Sequence, residues 1–256
     1  MKTNIAPIYF RELKALFYSP IAYLVLVMFW LISGYFWGSV VMAYSNYSME
    51  MMSRQGMAGQ LKIMDYMISP FLGNMMVTFL FVLPLVSMRA FSEEKKSGTI
   101  ELLFTYPFSD LDIVLGKYFA SLTFLALLVA GTLIYPLTVA GLAHLQWPVM
   151  LLGFAGLTLV GAAFLALGTL TSTFTENQVV AAALGFGALL LLFVLGWVSQ
   201  SGGGSFAGIL SQLSVMNHFQ NFPKGLLDLK DVTYFLFFIG FCLFATLRVL
   251  ESKKWR

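Results

Sequence analysis

The chain is expected to fold as an all-α membrane protein with six transmembrane helices, and three observations carry that expectation. Its 256 residues are 59% hydrophobic and only 11% charged, against about 25% charged for an average soluble domain. Mean hydropathy is +0.83, more apolar surface than a water-soluble core of this size could hide. The apolar residues gather in six long runs parted by short polar stretches, each near the length needed to cross a bilayer. One membrane domain over 1–256 follows.

The first element precedes the spans. Ile5, Ile8, Tyr9, Leu13, Leu16 and Phe17 recur at near-helical spacing opposite Asn4, Arg11, Glu12 and Lys14, which predicts an amphipathic helix over 1–18 lying in the membrane interface. A cytoplasmic extension of the first span is the alternative. Arg11, Glu12 and Lys14 interrupt any short apolar region, so this segment is not expected to be a cleaved signal peptide. Ser19-Pro20 then turns the chain into the first span.

The spans are expected at about 21–42, 71–88, 118–143, 149–170, 179–198 and 232–250. Pro84 and Pro136 fall inside two of them and predict kinks, because proline leaves a carbonyl of the preceding turn without its donor. With the N-terminus inside, the cytoplasmic side collects Lys2, Arg11, Lys14, Arg89, Lys95, Lys96, Lys117, Arg248, Lys253, Lys254 and Arg256. Only Arg54, Lys62, Lys224 and Lys230 remain outside, out of 15 basic residues. That bias predicts both termini in the cytoplasm. The net charge of +3 is small, and nucleic acid is not an expected partner. The single cysteine, Cys242, lies in the last apolar run, which leaves no internal disulfide and no cysteine metal cluster.

The loop from Arg89 to Lys117 carries both signs of charge in a patterned order. Gly98 permits a sharp bend after the charged run, Thr99 can cap a short helix over Ile100, Glu101, Leu102, Leu103 and Phe104, and Pro107 disfavours its continuation. Ser109 followed by Asp112 reads as a second helix start leading into the third span. Ile100, Leu102, Leu103 and Phe104 need a cover. Either a docked partner or the membrane interface itself supplies it.

This loop resembles the coupling-helix region of ABC-2 type transporter permeases, through Phe91, Glu93, Gly98, Thr99, Glu101, Leu102, Leu103, Pro107 and Leu115-Gly116-Lys117. A second stretch, with Ser214, His218, Phe219, Phe222, Gly225, Asp228, Asp231 and Tyr234, resembles the segment before the last span in the GldF-type and NosY-type branch, associated with gliding motility and copper-enzyme maturation. A weaker match runs from Ser172 to Gln178, where Thr175 and Gln178 also read as a local capping box. The resemblance implies a permease subunit in the inner or cytoplasmic membrane of a bacterium. Its implied partners are an ABC ATPase subunit, which would hold ATP and Mg, a second permease copy in a homodimer or related heterodimer, membrane lipid and an external auxiliary subunit. It also implies that Glu93 and Gly98 to Pro107 serve coupling, and that His218, Phe219, Phe222, Gly225, Asp228 and Asp231 serve an external gate or partner contact.

What is absent sharpens the reading. No Gly-x-x-x-x-Gly-Lys-Ser/Thr occurs: Gly116-Lys117 has Leu111 where the first glycine should stand and Tyr118 where the hydroxyl should. The chain therefore has no P-loop of its own to cradle phosphates, and no cofactor is expected on it. An intramembrane enzyme would need a base or metal ligands at membrane depth; no His-Glu-x-x-His is present, and His144 and His218 both fall next to loops. His218 would either line an external vestibule or satisfy local backbone near Asn217 and Asn221. The spans read as nearly free of ionisable groups, which argues against a proton-coupled pump. A membrane anchor that transmits force without moving a solute, or a passive channel, is the alternative.

Three weaker signals remain. Met49, Met51, Met52, Met57, Met64 and Met67 crowd the first external loop; thioethers can hold copper(I), and methionine is also an adaptable apolar filler. Gly34 and Gly38, with Gly153, Gly156, Gly161 and Gly168, predict close helix packing. The segment from Ser199 to Asp231 predicts a short re-entrant or interfacial helix carrying Phe206, Ile209, Leu210 and Leu213.

Overall fold

The fourth span is the axis around which the others are arranged. The computed structural model describes residues 5–55, 63–99, 109–141, 146–201, 208 and 211–254. Its helices are α1 (Ile5–Tyr18), α2 (Pro20–Gln55), α3 (Ser69–Ser87), α4 (Arg89–Lys96), α5 (Asp110–Thr132), α6 (Ile134–Ala140), α7 (Trp147–Ser172), α8 (Gln178–Ser201), α9 (Val215–Phe219) and α10 (Leu229–Lys254). Among the described residues there is no strand. Six helical stretches are long and apolar enough to cross a membrane, so both described ends of the chain lie on one side. We call that side the terminal face.

Helix α7 packs against α3, α5, α8 and α10. In its most apolar stretch 67% of the residues are buried, and in that of α3 61%, against 17% in α10. In a bundle surrounded by lipid, burial gains packing contacts rather than escape from water, so small residues that let backbones approach are favoured. The glycines of α7 do this within the chain itself. A methyl group at Gly156 would lie 2.5 Å from Phe222, one at Gly161 2.7 Å from Leu125, and one at Gly168 1.9 Å from the Ser87 hydroxyl oxygen. On α2, Gly34 lies against the Tyr135 ring, whereas nothing comes within 4 Å of the position a methyl would take at Gly38.

Local chemistry sets the ends of the helices. Ser109 Oγ accepts from Asp112 N at 3.1 Å, and Ser109 N donates back to the Asp112 carboxylate at 3.3 Å, the capping box read from the sequence. It starts α5 at Asp110, two turns ahead of the expected boundary at 118. The third span then breaks at Leu133, three residues before Pro136, where the missing proline N–H would leave a carbonyl one turn back unsatisfied. Helix α3 continues through Pro84. The helix that carries the first span runs on to Gln55, because no glycine or proline interrupts Ala43 to Gln55.

One capping expectation is corrected. Thr175 and Gln178 form no box: Asn177 caps α8, its Oδ1 accepting from Val179 N at 2.9 Å, while Thr175 Oγ1 accepts from Asn177 N at 3.1 Å. An asparagine immediately before the first helical residue reaches the free N–H groups of the first turn directly. The methionine-rich loop divides. Met64 and Met67 are core residues within a π-helical turn, Met49 and Met51 are exposed near the end of α2, and Met57 lies outside the described residues.

Candidate functional site

Helix α1 is held against the start of α5 by a close apolar fit. Ile8 is buried with Phe91, Ile113, Val114 and Leu250, and Gly116 makes room for it: a methyl there would lie 2.7 Å from the Ile8 side chain. One turn away, Tyr9 shares a 2.9 Å hydrogen bond with Thr123. This places the acidic and basic residues of α1 over the joint between α3, α4 and α5.

Four of these charges form one cluster. Lys117 Nζ lies 3.1 Å from Glu12 Oε1 and 2.9 Å from Glu94 Oε1, and Arg11 Nη2 lies 2.6 and 2.7 Å from the same two oxygens. Two cations and two carboxylates thus alternate around a square that joins α1, α4 and α5. The Lys117 side chain is 2% exposed and its ammonium sits 5.3 Å from the centre of the Phe91 ring, a cation–π contact. Burial pushes the Glu12 carboxyl up, but the charge of Lys117 and the hydrogen bond and charge of Arg11 outweigh it and hold the group below its ordinary value.

The expectation that no ionisable group lies between the helix ends is therefore corrected. Lys117 sits two turns inside α5 and is buried. It was assigned to the loop because the apolar run starts only at Tyr118. A lysine at this depth is stable where carboxylates from other helices reach it, and Glu12 and Glu94 do.

The cluster forms one wall of a cavity of about 670 Å³. Arg89, Glu93, Ser97, Thr99 and Ser19 also line it. Arg89 donates to the Ser19 hydroxyl at 3.0 Å. Glu93 is exposed. Gly98 adopts φ +69°, the left-handed conformation that glycine takes without strain, and turns the chain away after α4. Thr99 folds back, its hydroxyl 2.8 Å from that of Ser97. Lys95 ties α4 to the far end of α7 by donating to the Thr173 carbonyl. Ile100, Glu101, Leu102, Leu103, Phe104 and Pro107, with the short helix read over them, lie outside the described residues.

The second group of residues gathers on the opposite face. His218 is buried, and its Nδ1 lies 2.6 Å from Asp231 Oδ1 while its Nε2 lies 3.0 Å from the Gln212 carbonyl oxygen. Asn221 donates to the other Asp231 oxygen at 2.7 Å, and the Tyr234 ring stacks on the imidazole with centroids 4.1 Å apart. The partners of His218 are thus a carboxylate and a carbonyl, not the backbone around Asn217 and Asn221. Phe219 and Phe222 are buried; Gly225 adopts φ +78°; and Asp228 caps α10 by accepting from Lys230 N at 3.0 Å. Of the helix read across Phe206 to Leu213, residues 206, 207, 209 and 210 lie outside the described residues.

Sequence reading missed the clustering of Arg11, Glu12, Glu94 and Lys117. A signal was present: a lysine and two glutamates stand at the margins of otherwise apolar segments, and such charges are seldom left single.

Six helices long and apolar enough to cross a bilayer define a multi-pass membrane protein. The chain belongs to the ABC-2 family of transporter proteins, whose family profile, described as "ABC-2 family transporter protein", matches residues 6–248. No curated protein matches the chain.

Proposed function

We propose that this chain is the permease subunit of an ATP-driven ABC-2 exporter, of the GldF-type and NosY-type branch. It works as a pair of permease copies beside a pair of separate ATPase subunits that hold ATP and Mg. In this reading the terminal face is cytoplasmic, in agreement with its excess of lysine and arginine. Glu93, Gly98, Thr99, Ile100, Glu101, Leu102, Leu103, Phe104 and Pro107 serve coupling to the ATPase, and the six site residues of the opposite face form an outer gate or the seat of an external subunit.

The observation that carries the proposal is the Glu94–Lys117 pair with its Arg11 and Glu12 neighbours. It joins α4, which leads directly into the docking segment, to both α1 and the third span. A displacement imposed beyond Gly98 therefore acts on three helices at once. A buried ion pair resists separation because parting it leaves an uncompensated charge.

The test is co-purification in mild detergent of the tagged chain with its associated ATPase, followed by measurement of ATP turnover. Leu103→Asp is expected to lose the ATPase, and Glu101→Arg to lose the stimulation of turnover while the chain stays folded. Recovery of the folded chain alone, with no ATPase, rejects the permease reading. Unchanged turnover in both variants rejects the coupling segment. The second reading, a subunit that transmits force to an external partner without moving a solute, is favoured by the rigid clasp around His218. It requires a stable external partner and no cargo that stimulates turnover.

A further inference from the structure

We infer that the cavity at the terminal face binds one phospholipid with a phosphate–primary amine headgroup, the phosphate on Arg89 and the ammonium on Glu93. Among the cavity's charges, Arg11, Glu12, Glu94 and Lys117 compensate one another. Arg89 and Glu93 do not take part: among the described residues neither makes an ion pair. Arg89 has the Ser19 hydroxyl as a partner, and its Nε is buried with none. The two stand four residues apart on α4, hence on one face, roughly 6 Å apart along the axis. A free guanidinium and a free carboxylate at that separation match an anion and a cation joined by a two-carbon link. They do not match a bare anion, which Glu12, Glu93 and Glu94 in the same cavity wall would repel.

The source of the headgroup follows from what adjoins the cavity. A shallow cleft shares Leu16, Ser19, Val86 and Arg89 with it and continues along Ile21, Val25, Leu85 and Phe124. Polar cavity and apolar cleft therefore meet at Arg89, the arrangement a lipid needs to place its phosphate at the boundary and its first acyl carbons against hydrocarbon. A guanidinium fork suits the phosphate oxygens. A primary ammonium brings Glu93 both a positive charge and hydrogen-bond donors, whereas a choline has the charge without donors and a glycerol has donors without the charge.

Native mass spectrometry of the full chain in neutral detergent tests this. The probes are phosphatidylethanolamine, phosphatidylcholine, phosphatidylglycerol and the soluble glycerophosphoethanolamine, each at equal concentration. One phosphatidylethanolamine per chain is expected, with occupancy about tenfold above phosphatidylglycerol. Glu93→Gln, at an exposed position, is expected to bring the two lipids to parity, and Arg89→Gln to lower retention of every phospholipid about tenfold. Equal retention of phosphatidylethanolamine and phosphatidylglycerol by the unaltered chain overturns the inference, as does an undiminished preference in Glu93→Gln. Binding of the soluble headgroup as tight as that of the lipid overturns the assignment to a lipid. Should Arg89→Gln fail to fold, Glu93→Gln decides the matter alone. The site is carried by this chain without an ATPase, so its failure leaves the permease reading standing.

Discussion

The two ends of this molecule handle buried charge in opposite ways. On one face, His218, Asp231, Asn221 and the Gln212 carbonyl close on one another within 3.0 Å, and Tyr234 seals them by stacking. On the terminal face, charges of three helices surround a cavity, and the buried side-chain polar atoms without a partner among the described residues, Arg89 Nε, Glu94 Oε2 and Asp112 Oδ1, all lie there. A closed hydrogen-bonded set fixes geometry. An open set with unspent donors and acceptors is where a partner, a ligand or a rearrangement can gain free energy. The contrast sets a closed clasp on one face against an open cavity on the other.

The largest expected effect breaks the open end. Lys117→Met leaves Glu12 and Glu94 facing each other with only Arg11 between them, and is expected to destabilise the chain by about 3–5 kcal/mol, read as a lowered thermal midpoint in detergent. Combining it with Glu12→Gln and Glu94→Gln is expected to restore most of that loss, since the one charge then left, Arg11, is half exposed and no buried charge stays uncompensated. Failure of the triple variant to recover would mean that Lys117 acts through packing on Phe91.

At the closed end Asp231→Asn is expected to cost about 2 kcal/mol. The loss should be local: hydrogen exchange should quicken at 211–225 while α1 is unchanged. Simultaneous loosening of α1 would show that the two ends are coupled and would undo the comparison. A smaller effect separates the outer faces from the core. Gly156→Ala is expected to cost about 1–2 kcal/mol because its methyl meets Phe222. Gly38→Ala, with open space around it, should be neutral or gain a few tenths of a kcal/mol from helix propensity. If Gly38→Ala instead reduces association of two permease copies, that face is covered in the assembly.

The spans were legible in the sequence because hydropathy over about 20 residues is set by the bilayer and by nothing subtler. The bend at Gly98 and the box at Ser109 and Asp112 were legible too, since each depends on residues within one turn. The charged cluster was not. Glu12, Glu94 and Lys117 come from three separate segments, and only the fit of Ile8 over Gly116 brings them together. Lys117 itself was concealed by the habit of starting a span at its first apolar residue, when the helix had begun two turns earlier at Asp110. On the opposite face the individual residues were singled out, yet the pairing of His218 with Asp231, 13 positions apart, needed the turn at Gly225 and the start of α10 to be seen. Contacts across turns of that length leave no periodic trace.

The least severe perturbation is pH, and it distinguishes the ends without any substitution. The folded Glu12 carboxyl lies below its ordinary value of 4.5, so its contribution is fully present above that value and is lost as pH falls through the lower, folded one. Its cause is the charge of Lys117 and Arg11 outweighing burial, and it therefore belongs to the docking of α1. The protection of residues 5–18 against hydrogen exchange, taken relative to the intrinsic exchange rate at each pH, is expected to be constant from neutral pH down to the ordinary carboxylate range and to fall below it. High salt should narrow that difference little, because the Lys117 side chain is 2% exposed and the pair is screened weakly. Protection of α1 that falls well above pH 4.5, or that responds to salt as strongly as to acid, would mean that the cluster is solvated and that α1 is held by Ile8 and its apolar neighbours alone.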